Sequence, residues 1–429
     1  MPTISTRAII FVIVGLSVIL VVIQLISFMP HRPNSLNPVS SFLSFSGGSN
    51  GNNVCDRFED IGLYSQAEED FAHYKHGLTP EQQAAYMSFC KTVLQHSCLT
   101  IIILRGRIFV RHFYPGYQSR HRSTLHALYR VAQRFGPLPD AQFVIDVTDG
   151  YLGNKLGKLP IFIITRPSTA KKGVLYPDFT FYSWPEAACP PERSHGYGYL
   201  YSQFQQEAEK AAAHPEDWWA AKEDILFWRG GRVHNQIRDR TLAIFRDAIA
   251  VDMAFMEWKN TSITGINGAP GCVGLMDHCK YRYLAFLDGN TYSSRLKYNL
   301  LCGSCVLASR PTWVEWWTRH FEPNIDYIEV QSDWSNGPQR HKQVRWSLDG
   351  GRKIAESGRK KALEFLSEDA VDCYWLRLIE KASAILPRPP QVDYEKLPPS
   401  TKPIEDVLLY SNDVVIDDDG LIGPVVLVR

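Results

Sequence analysis

Twice between residues 224 and 304 an apolar run of strand length stops at a glycine-bearing turn and hands over to an arginine-bearing, helix-like stretch. In "DILFWRGGRVHNQIRDRTL" (Asp224–Leu242), Ile225–Trp228 reads as a short buried strand. Asn235–Ala248 then reads as a helix with Ile237, Leu242 and Phe245 along one side. In "YRYLAFLDGNTYSSRLKYNLLCGS" (Tyr281–Ser304), the strand-like part is Tyr281–Gly289. Ser293 or Ser294 can cap a helix whose apolar positions include Leu296, Leu300 and Leu301, with Gly303 at its end. Junctions of this kind point to an α/β fold, and they are where α/β proteins hold anionic ligands.

The residues at the two junctions suit that chemistry. Gly230 and Gly231 let the backbone approach a ligand closely, Arg229 and Arg232 present forked donors, and the amides of the coming helix add partial positive charge. An ordinary glycine-rich turn with solvated arginines is the competing reading. At the second junction Arg295 and Lys297 fall in the first turn of a helix, the wrong end for a cation unless an anion is bound there. The pair of junctions suggests a bound diphosphate.

A third strand exit lies upstream. "QFVIDVTDGYLG" rises as a strand through Phe143–Val147 and ends at Thr148-Asp149-Gly150. A carboxylate there can face a cleft, although Asp-Gly equally caps a turn. Counted by the strand's period of two, Asp146 points to the face opposite Asp149. Before it, Cys98–Val110 reads as a strand pair around an Arg-Gly-Arg turn, and His121–Gly136 as a helix closed by its glycine.

Charge limits the partners. The 46 Lys and Arg balance 45 Asp and Glu, for a net +1, so a general nucleic-acid binder is excluded and any anion site is local. The first informative segment, Ala8–Met29, is uncharged over 22 residues, enough to span a hydrocarbon core of about 30 Å. It is longer than a signal peptide's apolar region and lacks an A-x-A-like cleavage site, so a retained single-pass anchor is expected, with residues 1–7 cytoplasmic. Residues 30–54, rich in Ser, Asn, Gly and Pro, read as a flexible stem. Nine cysteines and the sequon at Asn260 agree with an oxidising, glycosylating compartment. The remaining length suits two lobes.

The segment "MDHCKYRYLAFLDGNTYSSRLKYNLLCGSCVL", with "WVEWWTRHFEPNIDYIEVQSDWSN" behind it, resembles the core of glycosyltransferase family 90, which holds fungal capsule-associated proteins and Rumi-type protein O-glucosyltransferases. "FWRGGR" is similar to the family's Arg-Gly-Ser-Arg segment, "YPDFTFYSWPE" to its aromatic stretch, and "VIDVTDG" to its strand ending in the catalytic aspartate. "DCYW" (Asp372–Trp375) also fits, so the likeness runs in order from Ala141 to Trp375. It implies a GT-B fold, two Rossmann-like lobes around a cleft: residues 55–185 on the acceptor side and 186–429 carrying the nucleotide-sugar site and the C-terminal segment. It implies an inverting, metal-independent transfer of glucose or xylose from a UDP-sugar to a hydroxyl of a protein or glycan, with no cofactor.

By the same likeness Asp149 is the general base. Arg229, Gly230, Gly231, Arg232, Ser293 and Arg295 hold the diphosphate, with Lys297 nearby. His278 and Lys280 share the matching segment, and Glu315 is a candidate for the ribose hydroxyls. A Cys279–Cys302 disulfide is implied as well. Departures from the pattern stand at Gly231, where a serine is usual, at Val233, where a threonine is usual, and at Ser294, where an aromatic residue is usual. Val428-Arg429 carries no Lys-Asp-Glu-Leu-like signal, which favours an anchored type II protein of the Golgi or endoplasmic reticulum. Two rival readings are a membrane-tethered, lectin-like module without turnover, and a metal-dependent GT-A-type transferase resting on Asp417, Asp418 and Asp419.

Overall fold

The turn at Arg105-Gly106 organises the first of two sheets. The computed structural model describes residues 52–94, 97–113, 117–187, 200–256, 273–387, 401–409, 415–417 and 420–422. β1 (Cys98–Leu104) and β2 (Arg107–Phe113) form an antiparallel hairpin whose two turn residues both take left-handed backbone, φ 51° and 76°. That geometry matches the right-handed twist of the flanking strands. On its other edge β1 pairs antiparallel with β3 (Ala141–Asp146), which continues parallel into β4 (Phe162–Ile163) and β5 (Val174–Leu175). Lys402–Pro403, Val415–Asp417 and Gly420–Ile422 complete an eight-stranded sheet beyond β2. This sheet departs from the Rossmann-like expectation for the N-terminal part. A two-residue turn joins only antiparallel strands, whereas parallel ones need a long crossover, so the hairpin makes the sheet mixed.

The second sheet is wholly parallel and has five strands: β6 (Glu223–Gly230), β7 (Val251–Phe255), β8 (Tyr281–Phe286), β9 (Cys305–Ser309) and β10 (Ile328–Val330). In space they run β10-β9-β8-β6-β7, so the first strand in sequence lies between the second and third. That is the doubly wound order, and it places a topological switch point between β6 and β8. The strand period of two sorts the side chains. Leu226, Trp228, Tyr283, Ala285, Cys305 and Leu307 fill a core on one face. Phe227, Leu284, Phe286, Val306 and Ala308 join a larger core that also holds Phe143, Ile145 and Phe162 of the first sheet. Both faces are covered, as a parallel sheet requires.

Three helices bear on the site. α1 (Gln118–Phe135) replaces the expected His121–Gly136 with nearly the same bounds. α2 (Ile237–Ile244) is shorter than the Asn235–Ala248 expected, because Gln236 sits in left-handed backbone and Phe245 leaves the helical region. α3 (Arg295–Leu301) is buried along its whole length. The Cys279–Cys302 disulfide is present, joined by Cys55–Cys373 and Cys90–Cys98, whose pairing the sequence did not reveal. Among the described residues Cys305 is free and buried. No helix among them is long and apolar enough to cross a membrane; Ala8–Met29 and Asn260 lie outside the described residues, as do Asp418 and Asp419.

Candidate active site

The switch point gathers a compact set of cations. β6 ends at Arg229-Gly230, and α3 starts at Arg295 a short turn after β8. Arg295 is buried against the end of β6: Nη1 donates to the Arg229 carbonyl and Nε to Ser293 Oγ at 3.3 Å. Gly230 makes this possible. A Cβ there would stand 2.9 Å from Arg295 Nη1 and 2.7 Å from the Trp228 ring, so only glycine admits the guanidinium. A second buried arginine, Arg238 in the first turn of α2, comes from the other side. It donates to the carbonyls of Gly231 (2.7 Å), Asp288 (3.0 Å) and Leu287 (3.3 Å). The two guanidinium carbons lie 5.4 and 5.5 Å from the centre of the Trp228 ring.

All five acceptors of these two arginines are uncharged oxygens. Burial therefore pushes Arg238 down to about 10, with Asp288 opposing, and pushes Arg295 well below its ordinary range, with the charge of Arg238 adding to the effect. Among the described residues neither arginine has an ion-pair partner, Asp288 acting on Arg238 only from a greater distance, and buried cations of this kind are costly unless an anion offsets them. Beside them, Asn235, Ile237, Asp288, Thr291 and Trp334 help to line a cavity of about 110 Å³ past the carboxyl ends of the parallel strands. Burial raises Asp288 there to about 7.

Other residues expected at the diphosphate are placed differently. Arg229 is buried with its fork closed on Asp252 of β7, Nη2 to both carboxylate oxygens at 2.7 and 2.8 Å. Arg232 is exposed, 3.5 Å from Asp239. Lys280 is exposed and paired with Asp277 at 2.6 Å. His278 is buried edge-on to Phe227, and burial followed by the charges of Arg295 and Arg229 drives it down to about 3, so it is neutral.

Lys297 turns into a buried polar cluster centred on Asp178. It lies 3.2 and 3.3 Å from the two Asp178 oxygens, and Glu315 is 4.0 Å away on its other side. Tyr292 donates to Asp178 Oδ2 at 2.8 Å and Ser294 at 3.0 Å. Ser294 was expected as a possible helix cap. It makes no cap bond, because its backbone is already helical (φ −60°, ψ −4°) rather than extended, and Asp178 takes its hydroxyl. Glu315 is buried and lines a separate cavity of about 310 Å³ with Arg166, Arg319 and Tyr327; burial raises it to about 8 against the pull of Lys297.

On the first sheet, Asp149 leaves the end of β3 with its side chain 57 % exposed, 3.6 Å from Arg120 Nη1. Arg120 also donates to the Val147 carbonyl at 3.1 Å, and its guanidinium carbon lies 5.2 Å from the Tyr117 ring centre and 5.1 Å from that of Phe179. Asp146, the last residue of β3, behaves oppositely; the strand stops there, so its period of two does not reach Asp149. It is buried and accepts from Thr148 N and Oγ1, both at 3.0 Å, and burial raises it to about 6. Among the described residues no three His, Cys, Asp or Glu side chains stand together as a metal site.

The structure thus sets two buried arginines at the switch point of the parallel sheet and an exposed carboxylate beyond the end of a strand of the mixed sheet. The profile of glycosyl transferase family 90 matches residues 61–399, and the chain belongs to that family. Among curated relatives, protein O-glucosyltransferase 1 of Mus musculus is 28% identical over 325 residues, covering 74% of this chain and 79% of that protein. O-glucosyltransferase rumi of Drosophila melanogaster is 27% identical over 322 residues, covering 68% of this chain and 73% of the relative.

Two residues of the assembly were missed in the sequence. Arg238 stands in the first turn of a helix, so the rule that singled out Arg295 and Lys297 applied to it too. Asp178 carried only the local signal of a cap on Thr180; its partners Tyr292, Ser294 and Lys297 lie more than a hundred residues away.

Proposed function

We propose that the chain is an inverting glycosyltransferase that moves a sugar, glucose or xylose, from a UDP-sugar to a hydroxyl of a protein. The observation that carries this reading is the pair of buried arginines, Arg295 and Arg238, whose hydrogen bonds all go to uncharged oxygens at the switch point. The acceptor oxygen attacks the anomeric carbon while Asp149 takes its proton. The bond from that carbon to the diphosphate oxygen breaks, and UDP leaves. Arg295 and Arg238 meet the charge that develops on it, without reorganising, and this supplies electrostatically what a metal ion would otherwise provide. The small cavity at the strand ends, with Asp288 in its lining, marks the side of the arginine pair on which the rest of the donor would lie.

The names of the relatives favour a protein acceptor. In this reading the parallel sheet carries the donor and the mixed sheet carries the base, the two lobes of a GT-B arrangement. Ala8–Met29 anchors a type II protein in the Golgi or endoplasmic reticulum membrane with its body in the lumen, supported by the three disulfides described above. The test is UDP release by the full-length protein across a panel of UDP-sugars, with and without chelator. Release from UDP-glucose or UDP-xylose at a rate unchanged by chelator is expected. Absence of release from every UDP-sugar, with no UDP binding, refutes the reading.

A further inference from the structure

We propose that Asp178 is a positioning residue that fixes the base-bearing side of the site against the diphosphate-bearing side. This inference rests on the reading of Asp149 as base and Arg295 as diphosphate group. Asp178 lies just past β5 in the first sheet, and the residue after it, Phe179, supports Arg120, which stands 3.6 Å from Asp149. Its carboxylate reaches the other way, into the turn and helix that carry Arg295. Tyr292, Ser294 and Lys297 all bind it, and Ser294 is the residue before Arg295. One side chain thus grips both halves of the site.

The geometry leaves Asp178 no capacity for a ligand. Oδ1 accepts from Thr180 N (3.1 Å), Thr180 Oγ1 (2.8 Å) and Lys297, while Oδ2 accepts from Tyr292, Ser294 and Lys297. Lys297 is fully buried, with both Asp178 oxygens at hydrogen-bond distance and Glu315 at 4.0 Å, so it too acts through this cluster. An exposed pair of this kind would do little, but a buried one with every polar atom satisfied admits a single arrangement of the groups around it. What that arrangement fixes is the offset between Asp149 and Arg295, and a misplacement of about 1 Å in such a constellation costs on the order of 100-fold in rate.

The experiment compares Asp178→Asn with the double variant Asp178→Asn/Lys297→Met in the full-length protein. The single variant leaves the Lys297 charge buried with only Glu315, 4.0 Å away, to offset it and can fail to fold for that reason alone; the double variant removes the Asp178 and Lys297 charges together at similar volume. UDP binding by calorimetry counts competent sites, and UDP release from UDP-glucose, per site, reads turnover. Both variants are expected to bind UDP within about threefold of the unsubstituted protein while kcat falls roughly 10- to 100-fold. A folded double variant with unchanged kcat per UDP site overturns the proposal, as does a loss confined to UDP affinity. Asp149→Asn, run alongside, separates the two readings. If it is inactive while the Asp178 variants run at full rate, only the positioning role is lost; if it keeps full turnover, the base assignment falls and the positioning role with it.

Discussion

Asp146 lies beneath Thr148, which donates to both of its oxygens, whereas Asp149 stands open beside Arg120, because β3 ends at Asp146 and Asp149 lies in the bend beyond it. Only the exposed carboxylate can meet an acceptor hydroxyl, so Asp149→Asn should bind UDP normally and lose at least about 100-fold in transfer. Asp146→Asn should keep most activity. If the losses are reversed, Asp146 and not Asp149 is the base. Asp146 also makes a separate, pH-dependent prediction. Burial raises it from 3.8 to about 6, so the protonated form is the one the fold favours. Its contribution to stability is fully present below about 3.8 and is lost as pH rises through about 6. The melting temperature of the unsubstituted protein, taken relative to Asp146→Asn, should therefore be higher at pH 4 than at pH 7. A difference that does not change with pH refutes the assignment.

At the scale of elements, two strand-to-helix junctions deliver two arginines to one tryptophan ring. Arg295→Ala should weaken UDP binding by roughly 2–5 kcal/mol, the scale for removing one partner of a desolvated charge pair. Arg238→Ala should be comparable. The double variant should lose more than the sum, because each single removal relieves the repulsion on the arginine that remains and so hides part of the contribution lost. Additive losses in calorimetry would mean that the two act on separate groups. Gly230→Ala tests the junction itself: the added methyl displaces the Arg295 guanidinium, so UDP affinity should fall while the fold persists. What sequence could tell about these elements followed from how local their causes are. The Arg-Gly-Gly-Arg turn, the misplaced cations at Arg295 and Lys297, and the exit of β3 are decided within a few residues, and they were legible. The direction in which each cation points is decided by distant chain. Arg229 turns to Asp252 and Lys297 to Asp178, neither readable from spacing, and the mixed pairing of the first sheet followed from a hairpin read without its neighbours.

Across the whole molecule, the chain closes on itself through the first sheet. The helix Glu368–Ala384 packs on β3 and α1, with Asp372 buried under Arg130 and Arg134 at 2.6 and 3.1 Å, and Lys402–Pro403 then pairs with β2. The Cys55–Cys373 disulfide locks this return, joining residues 318 apart. In the chain-entropy account a bridge closing so long a loop removes much of the freedom of the unfolded chain, worth up to about 5 kcal/mol. The donor site, by contrast, is held by the parallel sheet and by the Cys279–Cys302 bridge between the start of β8 and the end of α3. Stability and donor binding should therefore separate. Replacing Cys55 and Cys373 together by serine should lower the melting temperature by roughly 5–10 °C, while UDP affinity at 25 °C stays within about twofold, a shift of less than about 0.5 kcal/mol. Differential scanning calorimetry and UDP titration on the same material decide it. An unchanged melting temperature would show that packing of the helix alone secures the return of the chain, and a loss of UDP affinity in step with stability would show that the parallel sheet depends on the first sheet for its shape.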